Sequence, residues 1–176
     1  MTKDLTQGKI TPLLVKFTIP LLFGNIFQLM YNSVDSIIVG QLVGKEALAA
    51  VGTSNPLMTL AILFVNGMCI GASILMGTQY GAKKMDVLKR QISTTMIAGI
   101  VFSITVTLFC ILFARPLLLL IRVQEEVLPL AVPYLRIVFL GFIFTFIYNF
   151  FACTLRALGD STTPLYFLVA SSVLNI

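Results

Sequence analysis

ALAAVGTSNPLMTLAILFVNGMCIGASILMGTQYGA, residues 47–82, contains no Asp, Glu, Lys or Arg. A helix crosses the hydrocarbon of a bilayer with about 20 mostly apolar residues, and this run exceeds that. Residues 17–34, 91–114, 137–155 and 161–176 are also uncharged. A transmembrane barrel needs short alternating strands, and these runs are too long and too evenly apolar for that. The chain is 58% hydrophobic and 11% charged, with mean hydropathy +1.00, and its charged share is about half that of a soluble domain. The expected fold is all-α integral membrane. Four transmembrane helices are placed at about residues 14–39, 50–80, 91–114 and 128–155, and a fifth begins at about 163.

Short polar stretches separate these spans. GQLVGKEA (40–47) reads as a turn, and GAKKMDVLKRQ (81–91) as a basic loop. TSNP (53–56) is expected to kink the second span or delay its start. Residues 116–128 read as a short interfacial helix, and LRALGDSTTP (155–164) as a turn. Gly67/Gly71 and Gly77/Gly81 have the spacing of close helix packing. The phenylalanines at 139, 142, 144, 146, 150 and 151 are expected all round span four, as lipid-facing or packing surface. The final run, about 22 Å as a helix at 1.5 Å per residue, is shorter than a membrane core and is expected to be a span cut short.

The charges give orientation. The N-terminal arm nets +2 (Lys3, Lys9 and Lys16 against Asp4), and the 81–91 loop nets +3 (Lys83, Lys84, Lys89 and Arg90 against Asp86). The other two loops net zero. The positive-inside rule then places the N-terminus and residues 81–91 in the cytoplasm. The formal charge of +5 does not indicate nucleic acid, because the basic residues sit at the ends of apolar runs. Histidine is absent and Cys69, Cys110 and Cys153 lie inside apolar runs at no metal-ligand spacing. No metal site, catalytic residue or cofactor is expected, and the chain does not read as an enzyme. The first apolar stretch runs past Pro20 and Asp35 with no small-residue cleavage site, so a retained span is expected rather than a signal peptide.

Asp35 is the one acid between Lys16 and Lys45. At about 100° per residue, Asn25, Gln28, Asn32 and Asp35 fall within an arc of roughly 80°. A carboxylate in the membrane is costly when charged and normally faces protein or a water-filled cavity. Taken out of water, a carboxyl group disfavours its charge and can exchange a proton near neutral pH. Two plainer readings stand beside this one. Asp35 can be hydrated near the outer interface or bonded to a neighbouring helix, and the amides can serve as interhelical glue. Alignment of the amides with Asp35 favours a cavity lining. Pro20 removes a backbone hydrogen bond from the first span and is its natural hinge.

Three features together resemble the N-terminal part of a bacterial multidrug and toxic compound extrusion (MATE) transporter. They are Pro20, Tyr31–Asn32 and Asp35 followed by GQLVGKEALAAVG, then YGAKKMDVLKRQ, then LRALGDSTTP. The resemblance implies a partial N-lobe of a twelve-helix, two-lobed secondary antiporter. Such proteins export amphiphilic, often cationic compounds in exchange for H⁺ or Na⁺, the coupling ion standing where a cofactor would. It implies cation coupling at Asp35, Asn175 and, less closely matched, Tyr134, and adds Tyr31 to the cavity lining of Asn25, Gln28 and Asn32. It also implies a multi-pass protein of the bacterial inner membrane. Its partners would be membrane lipids, small organic substrates and the C-terminal helices that complete the transporter. Alternatives are a truncated, non-transporting membrane module, and a lipid-linked oligosaccharide flippase of the same superfamily. A flippase would be expected to carry more cations along its cavity than Arg136 alone.

Overall fold

In the computed structural model, which describes residues 10–42 and 44–175, the uncharged runs lie in helices that mostly extend past them. These are α1 (Ile10–Leu42), α2 (Lys45–Gly81), α3 (Met85–Leu112), α4 (Ala114–Leu120), α5 (Leu128–Leu140), α6 (Phe142–Ala157) and α7 (Thr162–Asn175). The side chains of residues 35, 39, 42, 45–47 and 173–175 lie outside the described ones. Helices α1, α2 and α3 are each long and apolar enough to cross a membrane, and α5 with α6 reaches that length as a pair bent by 43°. No strand occurs among the described residues.

Several expected boundaries move. α2 starts at Lys45 and runs through Pro56, so TSNP does not delay its start. Thr53 Oγ1 donates to the Ala49 carbonyl at 2.8 Å, and Ser54 Oγ to that of Ala50 at 2.7 Å. These hydroxyls bond within the helix one turn back rather than competing for a different backbone. The basic loop shrinks to residues 82–84, because α3 begins at Met85. Asp86 lies in its first turn, where the helix dipole favours an acid, and Leu88 is buried. The expected 116–128 helix is instead α4 at 114–120 followed by turns.

Three helix ends share one closing device. After α2, Lys84 N–H reaches the Gln79 carbonyl and Lys83 N–H that of Tyr80, both at 3.0 Å, with Lys83 at φ 57°. After α4, Val123 N–H bonds Leu118 and Arg122 N–H bonds Leu119, with Arg122 at φ 59°. After α6, Asp160 N–H bonds Leu155 and Gly159 N–H bonds Arg156, with Gly159 at φ 86°. This is the Schellman pattern, which satisfies orphan carbonyls with one left-handed residue. Asp160 then caps α7. Its Oδ1 accepts the backbone N–H groups of Thr162 and Thr163 at 3.0 Å, and its Oδ2 accepts the Thr163 hydroxyl at 2.7 Å. Burial works against the charge, yet these bonds outweigh it and hold the carboxyl below its usual range. The stabilisation from this group is therefore full above the ordinary carboxylate pKa and is lost as pH falls through the lowered one.

The chain forms two compact units. One comprises residues 1–34, 69–95 and 149–176; the other comprises 35–68 and 96–148. In the first, Met76, Phe150, Ala152 and Cys153 are buried. Thr154, also buried, donates its hydroxyl to the Phe150 carbonyl at 2.8 Å. Gly77 approaches α6, where a Cβ would stand 3.5 Å from the Ala157 carbonyl oxygen. At Gly67, Gly71 and Gly81 a Cβ would meet no described atom within 4 Å, so close packing at the expected glycine pairs is confined to Gly77.

In the second unit, Leu118, Ala131, Leu135, Phe139, Phe142 and Phe146 are buried. The phenylalanines do not ring span four. Phe139, Phe142, Phe146 and Phe150 recur at helical spacing and are buried, whereas Phe144 and Phe151 are exposed. The closest approach falls at a glycine the sequence did not single out. The Phe146 ring lies on Gly99 so closely that a Cβ there would overlap it. Two bonds tie α3 to α5 in antiparallel order. Thr107 Oγ1 donates to the Phe139 carbonyl at 2.9 Å, and Arg136 Nε to that of Ile111 at 3.2 Å.

The fourth span is broken at Gly141, where a continuous helix was expected. Gly141 N–H is shared between the Val138 carbonyl at 3.0 Å and that of Ile137 at 3.3 Å, which tightens the last turn of α5. Thr107 bonds the carbonyl two residues before the break.

Candidate functional site

α1 is helical without interruption from Ile10 to Leu42, with Pro20 inside it. Positions 25, 28, 32 and 35 therefore fall on one side of the helix by their spacing alone. Asn25, Gln28 and Asn32 are exposed, Tyr31 is half-buried, and both Tyr31 and Asn32 have interaction partners. No described side chain of α1 is buried. Ser33 donates its hydroxyl to the Leu29 carbonyl at 2.9 Å, within the helix. Pro20 is half-buried and α1 continues through it, so its hinge role remains an expectation.

The other candidates are placed as follows. Asp35 and Asn175 belong to α1 and α7, and their side chains lie outside the described ones. Tyr134 is half-buried on α5 of the second unit and has a partner of its own. Asn25, Gln28, Tyr31 and Asn32 all fall in the first unit, as does α7. In that unit α7 packs against α1 at Gly24, where a Cβ would stand 3.6 Å from Leu165 and 3.8 Å from Leu168. On the helical wheel Gly24 lies about 20° beyond the Asp35 edge of the polar arc. The start of α7 thus borders the polar stripe. Glycine at 24 was the available signal, since a small residue lets two helices approach in a membrane.

Among the described residues no group of three or more His, Cys, Asp or Glu could hold a metal ion. Cys69, Cys110 and Cys153 are buried free thiols. Arg136, the basic residue well inside a span, is used structurally. It donates to an orphan carbonyl in the last turn of α3.

Long apolar helices, three of membrane length and a fourth reached by a bent pair, define a polytopic helical membrane protein. The chain belongs to the MATE family, whose MatE model matches residues 20–176, and corresponds to its N-terminal portion. It is 34% identical over 98% of its length to the probable multidrug resistance protein YpnP of Bacillus subtilis, covering 39% of that protein. It is 36% identical over 91% of its length to YoeA of the same organism, a second probable multidrug resistance protein, covering 35% of it. A solved MOP superfamily transporter from Pyrococcus furiosus superimposes with a TM-score of 0.90 at 26% identity, over 99% of this chain and 39% of that one. The chain therefore spans little more than a third of the length of these relatives.

Proposed function

We propose that this chain is part of the N-lobe of a secondary antiporter that exports amphiphilic, often cationic compounds in exchange for H⁺ or Na⁺. The observation that supports it best is the polar stripe on uninterrupted α1, bordered by α7 at Gly24. Counted by crossings, α1 is the first span and α7 the fifth, so the two run in one direction. Asn175 lies seven residues past Leu168, roughly 10 Å along its helix, and Asn32 eight past Gly24, roughly 12 Å. Positions 32 and 175 then come to similar depth along the two helices. Asp35 is the group that is charged and discharged, Tyr134 and Asn175 assist the coupling ion, and Asn25, Gln28, Tyr31 and Asn32 line the substrate path. Pro20 supplies the bend for alternating access. Arg136, committed to Ile111, leaves the flippase reading without the one intramembrane cation it had.

The test uses the full-length transporter in everted membrane vesicles. A fluorescent cationic dye should accumulate against its gradient when a proton or sodium gradient is imposed, and release when the gradient collapses. Dye movement indifferent to both gradients would overturn the antiport reading. Orientation has its own check. Single cysteines at 45 and 84, in a background lacking the native three, should label oppositely with an impermeant thiol reagent in intact cells. Labelling of position 84 from outside would invert the proposed bacterial inner-membrane topology with its cytoplasmic N-terminus.

A further inference from the structure

The second unit holds a cavity of about 420 Å³, and none of its lining residues belongs to the polar stripe of α1. It is lined by Arg115 at the start of α4, Glu125 in the turns before α5, and Leu128, Pro129, Val132 and Pro133 on α5. That volume falls within the range of small-ligand sites, roughly 300–1,000 Å³. Its chemistry is unusual, with one cation and one anion on an otherwise apolar wall. Among the described residues neither Arg115 nor Glu125 is spent on the other or on a third partner. Pro129 and Pro133, one helical turn apart, bring no backbone N–H, so the polar recognition falls to the two charged side chains.

The surroundings place the cavity at lipid rather than in open water. Leu112 is 72% exposed and Leu120 79%, with Phe113, Leu119 and Ile121 exposed between and beside them. Exposed apolar side chains of this number suit a membrane or protein contact. Here they lie on the connection between α3 and α5, at the end of an apolar span of membrane length.

We propose that this cavity binds the headgroup of a zwitterionic phospholipid bearing a primary ammonium, of the phosphatidylethanolamine type. Arg115 holds the phosphate, Glu125 accepts from the ammonium, and the acyl chains lie along the exposed apolar side chains between Leu112 and Ile121. The guanidinium is suited to a phosphate because it presents several donors in one plane. Phosphatidylglycerol satisfies Arg115 and leaves Glu125 facing no cation. Phosphatidylcholine carries positive charge but no N–H to donate.

The test is lipid retention by the purified full-length transporter, read by native mass spectrometry after partial delipidation. Equimolar phosphatidylethanolamine, phosphatidylcholine and phosphatidylglycerol are offered, with water-soluble glycerophosphoethanolamine in a separate arm. Phosphatidylethanolamine should be retained preferentially. Arg115→Ala and Glu125→Ala should each lower its retention about tenfold, as expected for one charge-assisted hydrogen bond. Arg122→Gly, which removes a nearby charge where the backbone suits glycine, should leave retention unchanged. The double exchange Arg115→Glu with Glu125→Arg keeps both charges and guards against simple unfolding; it should bind as poorly as the single variants while melting like the parent. Equal retention of all three lipids, unchanged retention in Glu125→Ala, or full retention in the exchanged protein would each overturn the proposal. So would the soluble headgroup binding as tightly as the lipid, which would make this a solute site.

Discussion

Asp35→Asn in the full-length transporter is expected to reduce gradient-driven dye export to the level of vesicles lacking the protein, while insertion and abundance stay near those of the parent. Asparagine keeps the size and hydrogen-bonding reach of the aspartate and loses only the ability to change charge. A group that couples transport to an ion must differ in free energy between its loaded and unloaded forms, and Asn has one form. Moving an ionisable group in a membrane helix between hydrated and desolvated settings involves several kcal/mol, enough to bias a two-state transporter strongly. Asn32→Ala offers a useful contrast. It removes a polar group from the same stripe without touching titration, so it should weaken apparent substrate affinity and preserve dependence on the ion gradient. The measurement is initial export rate against dye concentration and imposed gradient for each variant. Full export by Asp35→Asn would return Asp35 to hydration near the interface or to an interhelical bond.

The second large effect is on stability. A Cβ at Gly99 would overlap the Phe146 ring, and Phe146 is fully buried in its unit. Gly99→Ala is expected to cost about 1–3 kcal/mol, the usual range for overpacking, and Gly99→Leu more. Phe146→Leu alone should also destabilise, by removing packed volume. The double variant Gly99→Ala with Phe146→Leu should recover part of both losses, because the ring that the new methyl meets is gone. Contacting residues are where non-additivity of about 0.5–3 kcal/mol is found. Thermal midpoints of the four proteins in one detergent close the cycle. Additive losses would show that α3 and α6 do not meet through this pair.

The helical membrane class could be read from the uncharged runs alone, and with it the outline of up to four spans. The reason is that hydrocarbon leaves the backbone no solvent partner, so a long apolar run is a helix whatever its neighbours. Local chemistry at the span ends was also visible in part. Gly159 and Asp160 in LRALGDSTTP became a helix stop and a helix cap, whereas Lys83 and Arg122 fill the same left-handed position with no residue-type signal. Asp35 and its amide stripe followed from helical spacing on a single element, and that stripe needed only α1 to be continuous.

Which apolar residue packs on which was not legible. In a soluble helix the water-facing side is polar and reveals the packed side by contrast. In a membrane helix the lipid-facing and packed sides are both apolar, so Phe144 and Phe146 look alike in sequence although one is 72% exposed and the other 0%. For the same reason Gly99 stood no higher than the paired glycines of α2, and only the ring of Phe146 distinguishes it. The break at Gly141, the Thr107 bond beside it and the capture of Arg136 by Ile111 depend on two helices lying side by side. The sequence by itself determined the solvent, the spans and the polar stripe, because each is set by one helix and its surroundings. Tertiary structure alone decided the buried phenylalanines, the glycine contact and the partners of the polar groups, because each requires a second helix at a particular distance.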